Sequence, residues 1–344
     1  MNASPEAKTL NTKDSSWRTA VAKYQHSDLR RSLWQAVNSF IPYFVLCFAM
    51  YRSLEISYWL TLALSVPAAG FMTRIFIIFH DCGHGAFFKS QKANDILGFI
   101  GGVITFTPYY GWRYEHAVHH ATAGDLDRRG LGDVWTLTVK EYLALPPKNK
   151  LWYRIYRNPF FLFILGPLIH FLIKQRFPPR KAAKRERHSV HWTNLALAGV
   201  VALMSVTIGI KAYILIQFPT IAIASAAGVW LFYVQHQYEG VYWERHEDWD
   251  YVSVALEGSS YYKLPKILQW FTGNIGFHHV HHLSPRIPNY FLEKCHNENP
   301  LFHQVKSINL LESFESMFFR LWDEDQHQLV GFGHLKSLPE KQAS

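Results

Sequence analysis

Three histidine clusters, His80-Asp-Cys-Gly-His84, His116-Ala-Val-His-His120 and His278-His-Val-His-His282, hold nine of the chain's 19 histidines. Residues spaced i, i+3 and i+4 share one face of a helix, so each cluster can direct two or three imidazoles toward one point. So many neutral nitrogen donors, with almost no thiolate beside them, are typical of a borderline transition metal and of more than one ion. The sequence therefore predicts a histidine-built di-metal site.

Long apolar stretches surround the clusters and predict membrane helices, since about 20 apolar residues span the hydrocarbon. The stretches group into two hairpins, with predicted spans at 38–53, 57–79, 194–211 and 218–235. We expect an all-α integral membrane protein with four transmembrane helices, interfacial helices and a polar cap that holds the metal site. Four spans with both termini in the cytosol keep every histidine cluster on the cytosolic side.

Two shorter apolar segments, 96–110 and 160–173, are interrupted by glycine and proline, which favours interfacial positions over full spans. The expected organisation is a cytosolic N-terminal segment (1–37), one membrane domain (38–325) and a C-terminal tail (326–344). The net charge of +9 fits an anionic lipid surface or nucleic acid. Basic residues concentrate beside apolar segments and no nucleic-acid motif is present, so we expect a membrane and no nucleic acid as partner.

The type of metal follows from the number and kind of ligands. Structural zinc needs four ligands, often including cysteine, whereas this chain has three scattered cysteines and a surplus of histidines. A redox-active pair of ions with open positions explains the surplus better. A membrane metal transporter is a remote alternative, which predicts ionisable residues within the spans. The spans contain almost none, and the histidines collect beyond their ends.

The chain resembles the membrane-bound fatty acid desaturases, most closely the acyl-lipid omega-6 (delta-12) branch. The resemblance is carried by the three clusters and by the stretches Gly132-Asp-Val-Trp-Thr-Leu-Thr138, Tyr233-Val-Gln-His-Gln-Tyr-Glu-Gly240, Gly258-Ser-Ser-Tyr-Tyr262 and Gly273-Asn-Ile-Gly-Phe277. It covers about residues 30–325. It implies a non-haem di-iron centre that uses dioxygen and two electrons to insert a cis double bond, at delta-12 of oleoyl chains esterified to lipid.

The resemblance also implies the metal ligands, residue by residue. They are His80, His84, His116, His119, His120, His236, His278, His281 and His282. His236 lies at the end of the last predicted span, and that position alone makes it a candidate ligand. His279 offers a competing imidazole next to His278.

Supporting roles are predicted for residues close to the clusters. Carboxylates and amides that accept a ring N–H orient metal-bound imidazoles, and the candidates are Asp81, Asp125, Asp127, Glu239 and Asn274. Trp135, Tyr238 and Trp243 are candidates for lining an acyl tunnel, although ordinary packing accounts for them equally well.

Electrons must come from outside, because no haem-binding or iron–sulfur cysteine motif is present. We expect a ferredoxin or a small haem protein with its reductase, acting at the cytosolic face of what we take to be a bacterial inner membrane. The basic stretch 174–187 is a candidate docking site and equally a candidate lipid contact. An alkyl or lipid hydroxylase or a ketolase with the same histidine boxes remains the alternative reaction.

Overall fold

The computed structural model describes residues 16–179 and 182–338. Its first half contains, in order, α1 (Ser16–Ala22), α2 (Leu29–Ser53), α3 (Tyr58–Gly83), α4 (Gln91–Ile104), α5 (Tyr109–Thr122), β1 (Leu137–Thr138), α6 (Val139–Ala144), α7 (Pro147–Tyr156), a π-helix (Phe161–Leu165), α8 (Gly166–Leu172) and a 3₁₀ turn (Lys174–Arg176). The second half contains α9 (Lys184–Thr207), α10 (Ile210–His236), α11 (Tyr251–Leu256), β2 (Tyr261–Lys263), α12 (Lys266–Phe271), α13 (His278–Leu283), α14 (Asn289–Glu298), β3 (Ser307–Asn309), β4 (Leu321–Asp323) and β5 (Gln328–Val330), with 3₁₀ helices at Pro300–Gln304, Glu312–Phe318 and Phe332–Lys336.

Four helices, α2, α3, α9 and α10, are long and apolar enough to cross a membrane. The loop 54–57 joins α2 to α3, and a tight turn at Gly209 joins α9 to α10. Gly209 has φ +86°, a left-handed conformation that glycine adopts without steric cost. The helix α3 packs against both α2 and α10. The prediction of an all-helical membrane bundle built from two hairpins is confirmed.

The helices extend further than the apolar stretches that predicted them. The first span begins at Leu29 rather than at 38, where Asp28 caps it by accepting a hydrogen bond from the Arg31 amide. The third begins at Lys184 rather than at 194, and the second continues past 79 to Gly83. Hydropathy marks only the part of a helix that lies in hydrocarbon, while the backbone pattern continues into the polar region.

The two shorter apolar segments form broken helices. Segment 96–110 contains the end of α4 and a turn, and Gly101 of α4 lets that helix approach α3 closely, since a Cβ there would lie 3.2 Å from the Phe79 Cβ. Segment 160–173 contains the π-helix and α8. Together with α7 it is long and apolar enough to cross a membrane, but a 62° bend divides the pair.

The cap, residues 237–338, combines short helices with two small sheets, one of which also includes β1 from the segment after α5. In one sheet β1 pairs parallel with β4, Leu137 opposite Leu321, and β4 pairs antiparallel with β5. In the other, β2 and β3 pair parallel. Buried apolar residues of α13 and α14, including Val280 and Leu292, form a core with Ile77 of α3. This packing holds the third histidine cluster against the end of the membrane bundle.

Candidate metal centre

Nine histidines converge where α3, α5, α10 and α13 meet. They are His80 and His84 at the end of α3, His116, His119 and His120 on α5, His236 at the end of α10, and His278, His281 and His282 on α13. They form one group of five and one of four, and within each group one ring nitrogen per histidine lies within 4.8 Å of all the others. All nine predicted ligands are therefore brought together, from positions up to 202 residues apart (His80 to His282).

The five-histidine group comprises His80, His84, His116, His120 and His281. The His281 Nε2 lies 3.1 Å from the His80 Nε2 and 2.9 Å from the His120 Nε2. The His120 Nε2 in turn lies 3.1 Å from that of His116. The buried Nε2 of His84 has no hydrogen-bond partner among the described residues. Nitrogen atoms thus crowd around a common centre.

The four-histidine group comprises His119, His236, His278 and His282. The His236 Nε2 lies 3.2 Å from the His119 Nε2 and 2.9 Å from the His278 Nε2. The two groups adjoin, since the rings of His120 and His282 stack with centroids 4.2 Å apart.

The hydrogen bonds on the far sides of these rings show that the groups fit cations. The His236 Nδ1 lies 3.1 Å from the Gly258 carbonyl oxygen, which can only accept, so Nδ1 carries the hydrogen and Nε2 is left with a lone pair. The His119 Nδ1 lies 2.5 Å from the Asp133 Oδ1, which assigns the same tautomer. Two lone pairs then face each other across 3.2 Å. A metal ion bound by both nitrogens removes this repulsion.

The electrostatics favour metal binding over protonation. Burial is the largest cause that holds the pKa of His116, His120, His281 and His282 well below the usual value, and the neighbouring imidazoles lower it further. These rings are therefore neutral near pH 7, the form in which imidazole binds metals.

Two carboxylates orient imidazoles of the site. The Asp81 Oδ1 lies 3.0 Å from the His80 Nδ1, while its Oδ2 accepts hydrogen bonds from the backbone and side-chain nitrogens of Asn289 at 2.7 and 2.8 Å. Asp81 thus links the first cluster to the start of α14. Asp133 supports His119 in the same way, and sequence reasoning missed it. The sequence signal that could have found it is the Gly132-Asp-Val stretch, because the loop after α5 brings the Asp133 carboxylate back to that helix.

The other predicted supporting residues do not contact the imidazoles of the site. The Glu239 side chain is 80% exposed and pairs with Lys306, in the turn that follows the end of α10 at His236. The Asn274 Nδ2 donates to the Asn289 carbonyl oxygen at 3.4 Å, and Asn289 in turn donates to Asp81. Asp125 and Asp127 belong to a surface network. The Asp125 carboxylate binds Arg128 and His246, and Asp127 binds Arg245 and the His246 amide. The predicted role of Glu239, Asn274, Asp125 and Asp127 as partners of the metal-site imidazoles is corrected accordingly.

His279 points away from both groups. Its Nε2 lies 3.0 Å from the Nδ1 of His296, and it belongs to neither histidine group. The geometry therefore favours His278 over His279 as the third-cluster nitrogen in the four-histidine group.

A partly open pocket, with about 460 Å³ of empty space including its mouth, adjoins the four-histidine group. Its walls combine apolar and aromatic side chains with polar and charged ones, and include His119, His236, Val134, Phe232, Tyr233, Trp243, Asp125, Arg129, Asp133 and Gln237. Of the three predicted tunnel residues only Trp243 lines it, with its ring 5.5 Å from that of Trp322. Trp135 packs on Tyr153 and Tyr156, and the buried Tyr238 donates its hydroxyl hydrogen to the Glu257 carbonyl oxygen at 2.5 Å. Both therefore have packing roles outside the pocket.

Comparison with known proteins agrees with the metal site that the geometry indicates. The family model described as fatty acid desaturase matches residues 57–307. A fatty acid desaturase of Bacillus subtilis is 51% identical over 96% of this chain and 94% of its own length. An sn-1 oleoyl-lipid 12-desaturase of Synechocystis is 27% identical over 78% of this chain and 77% of its own. An sn-1 acyl-lipid omega-3 desaturase (ferredoxin) of Nostoc is 28% identical over 64% of this chain and 62% of its own.

The matched region contains all three histidine clusters and three of the four apolar helices in full, and the strongest of these similarities extends over nearly the whole chain. A metal transporter is thereby excluded as the family of this protein. The chain belongs to the fatty acid desaturase family.

Proposed function

We propose that this desaturase binds two non-haem iron ions and inserts a cis double bond into an acyl chain of a membrane lipid. The observation that carries the proposal is the pair of adjoining all-histidine groups beside a partly open pocket. Imidazole donors suit iron, copper and zinc. The reaction of the family transfers electrons, which zinc cannot do, and relatives using a ferredoxin donor support iron.

The five-histidine group would hold one ion and the four-histidine group the other. Such a site supplies the oxidising power to remove hydrogen from an unactivated methylene group, which side-chain acid–base chemistry cannot do. The reaction balances as –CH₂–CH₂– + O₂ + 2e⁻ + 2H⁺ → –CH=CH– + 2H₂O. The protein's own residues contribute orientation. Asp81 and Asp133 fix two imidazoles, and the apolar part of the pocket wall, including Val134, Phe232 and Trp243, would contact the chain.

The substrate is an oleoyl chain esterified to glycerolipid, and the new bond forms at delta-12. Support for this finer statement comes from the oleoyl-lipid 12-desaturases among the relatives, at 27% and 28% identity. The Bacillus relative at 51% identity carries no bond position in its name. The assay must therefore locate the bond as well as detect it.

The active site and both termini face the cytosol, and the protein lies in a bacterial inner membrane. Basic residues flank the ends of the spans nearest the histidines, notably Lys174, Lys184 and Arg185, which agrees with the excess of positive charge on cytosolic loops. An even number of spans returns the chain to the side on which it started.

The electron donor is a ferredoxin or a small haem protein served by its reductase. The names of two relatives, the sn-1 acyl-lipid omega-3 desaturases (ferredoxin) of Synechocystis and Nostoc, include ferredoxin. The described part of the basic stretch 174–187 lies beside α5, since the Arg185 guanidinium sits 3.8 Å from the ring centroid of Tyr110. An acidic donor docked there would approach the helix that carries the second histidine cluster.

The deciding experiment is the fatty acid profile of a bacterial host that lacks polyunsaturated lipids. The chain is expressed with a ferredoxin and its reductase, oleate is supplied, and double bonds are located by mass spectrometry of derivatives. A methylene-interrupted diene supports the full proposal, and a bond at another position refutes delta-12 while retaining desaturation. A hydroxylated chain would move the protein to the alternative reaction. The His281→Ala variant is the inactive control.

A further inference from the structure

An apolar seam lies between the π-helix and the 3₁₀ helix Glu312–Phe318, beside α10. Its outer lips are exposed apolar side chains outside the four spanning helices, namely Phe160 (61% exposed), Ile164 (48%), Phe314 (47%) and Phe318 (70%). Adjacent exposed apolar residues next to a membrane helix mark a surface that contacts lipid or another apolar partner.

Aromatic rings connect this surface to the pocket beside the histidines. The ring centroid of Phe314 lies 5.5 Å from that of Trp230, and the Trp230 ring lies 4.9 Å from Phe163. Phe163 lies 5.1 Å from Tyr233, which forms part of the pocket wall. Three ring contacts thus separate an exposed phenylalanine from the pocket, and these contacts carry no hydrogen bond that must be replaced when a hydrocarbon chain takes their place.

The two ends of this path differ in how firmly they are held. The Tyr233 hydroxyl bonds to Arg157 Nη2 at 3.0 Å and to the carbonyl oxygens of Ser316 and Phe319 at 3.0 and 3.1 Å. Trp230 makes one hydrogen bond, from its Nε1 to the Tyr262 hydroxyl at 3.2 Å, and Phe163 contributes only its ring. Tyr233 is therefore the most firmly held of the three rings, whereas Phe163 and Trp230 are held mainly by ring packing.

The backbone around Phe163 is a π-helix, a rare conformation that occurs frequently at functional sites. Trp230 precedes His236 by six residues, about 9 Å along the axis of α10. Tryptophan near the end of a spanning helix is typical of the level where hydrocarbon meets headgroups. The seam therefore lies beside the end of a spanning helix, where we expect acyl chains of the bilayer.

We propose that the seam is a lateral portal, through which an acyl chain of a bilayer glycerolipid passes between Phe163 and Trp230 to reach the pocket. The occupant is a hydrocarbon chain, because the lips are apolar aromatic and aliphatic side chains continuous with the lipid-facing surface of α10. This inference rests on the proposed function for its substrate class and adds the route by which the lipid enters.

Photocrosslinking tests the portal without requiring turnover. A benzoylphenylalanine replaces Phe163, which is 8% exposed, and the protein is illuminated in vesicles of alkyne-tagged phosphatidylcholine. The matched control carries the same probe at Phe302, which is buried in the core of the cap. We expect about tenfold more lipid adduct at 163 than at 302, and equal yields would overturn the portal. A wild-type chain that forms no double bond while the 163 probe captures lipid would refute the proposed function alone.

A second pair of variants decides the question if the probe at 163 prevents iron binding. Phe314→Arg places a charge on the lip, and Tyr114→Arg makes the same change at another exposed aromatic residue (52%), on α5. We expect Phe314→Arg to raise KM for vesicle phosphatidylcholine about tenfold with kcat and iron content retained, and Tyr114→Arg to leave KM unchanged. Equal changes in both variants would show that Phe314 is only a membrane anchor and would overturn the portal.

Discussion

The replacement Asp133→Asn tests whether the carboxylate beside His119 contributes to metal affinity. The Asp133 Oδ1 lies 2.5 Å from the His119 Nδ1, and its Oδ2 accepts a hydrogen bond from the Gly130 amide at 3.4 Å. An asparagine keeps the shape, but it loses the charge and presents an amide NH₂ to one of these two donors. A hydrogen bond to a charged group contributes about 1.5–3 kcal/mol. We therefore expect iron affinity to fall about 10- to 100-fold, the usual effect of removing such a partner.

The loss should be confined to the four-histidine group, because Asp133 contacts none of the other five rings in the described structure. The assay is titration of the purified protein with ferrous ion against a competing chelator, with bound iron counted per chain. We expect one ion to bind as in the wild type and the other to bind more weakly. Asp127→Asn is the matched control, since this carboxylate is 42% exposed and pairs with Arg245. Unchanged binding in Asp133→Asn, or equal weakening of both ions, would refute the reasoning.

Three further predictions concern individual histidines. His281→Ala should abolish turnover and lower the iron content while the protein still inserts into the membrane, and an unchanged product yield would remove the third cluster from the site. His278→Gln should weaken iron binding whereas His279→Gln should not, as iron titration of the two variants would show; the reverse order would contradict the assignment. Burial lowers the pKa of His296 to about 4 from 6.5, so the unfolded state binds a proton that the folded state does not, and stability falls as the pH drops from 6.5 to 4. The melting temperature of His296→Gln should decline less over that range than that of the wild type, and identical declines would exclude this residue as a cause.

The histidine clusters made the centre predictable because helical spacing places each set on one face, and because few functions need so many imidazoles. His236 could be chosen only by its place at the end of a predicted span and by family resemblance. Its contact with His278 joins residues 42 positions apart, which local pattern cannot show.

The supporting residues were harder to predict because closeness in sequence does not give direction. Glu239 lies three residues after His236, yet α10 ends at His236 and the Glu239 side chain is exposed. Asp133 lies 14 residues beyond His119, and only the folded loop brings the two together. The helices extend beyond the predicted spans for a related reason, since hydropathy reports the hydrocarbon and not the helix.

The facing lone pairs of His119 and His236 have a consequence for the life of the protein in the cell. The helices α5 and α10 meet there at two nitrogen atoms that repel each other until a cation lies between them, so metal binding contributes directly to the stability of the fold. A chain newly inserted into the membrane is then complete in its spans but loose where the cap meets them. With the iron of the proposed function as that cation, iron scarcity would act first on the amount of this protein, through proteolysis of loosely docked caps, and only secondarily on the rate of each surviving molecule. The abundance of the chain in membranes would follow the iron supply even at constant synthesis.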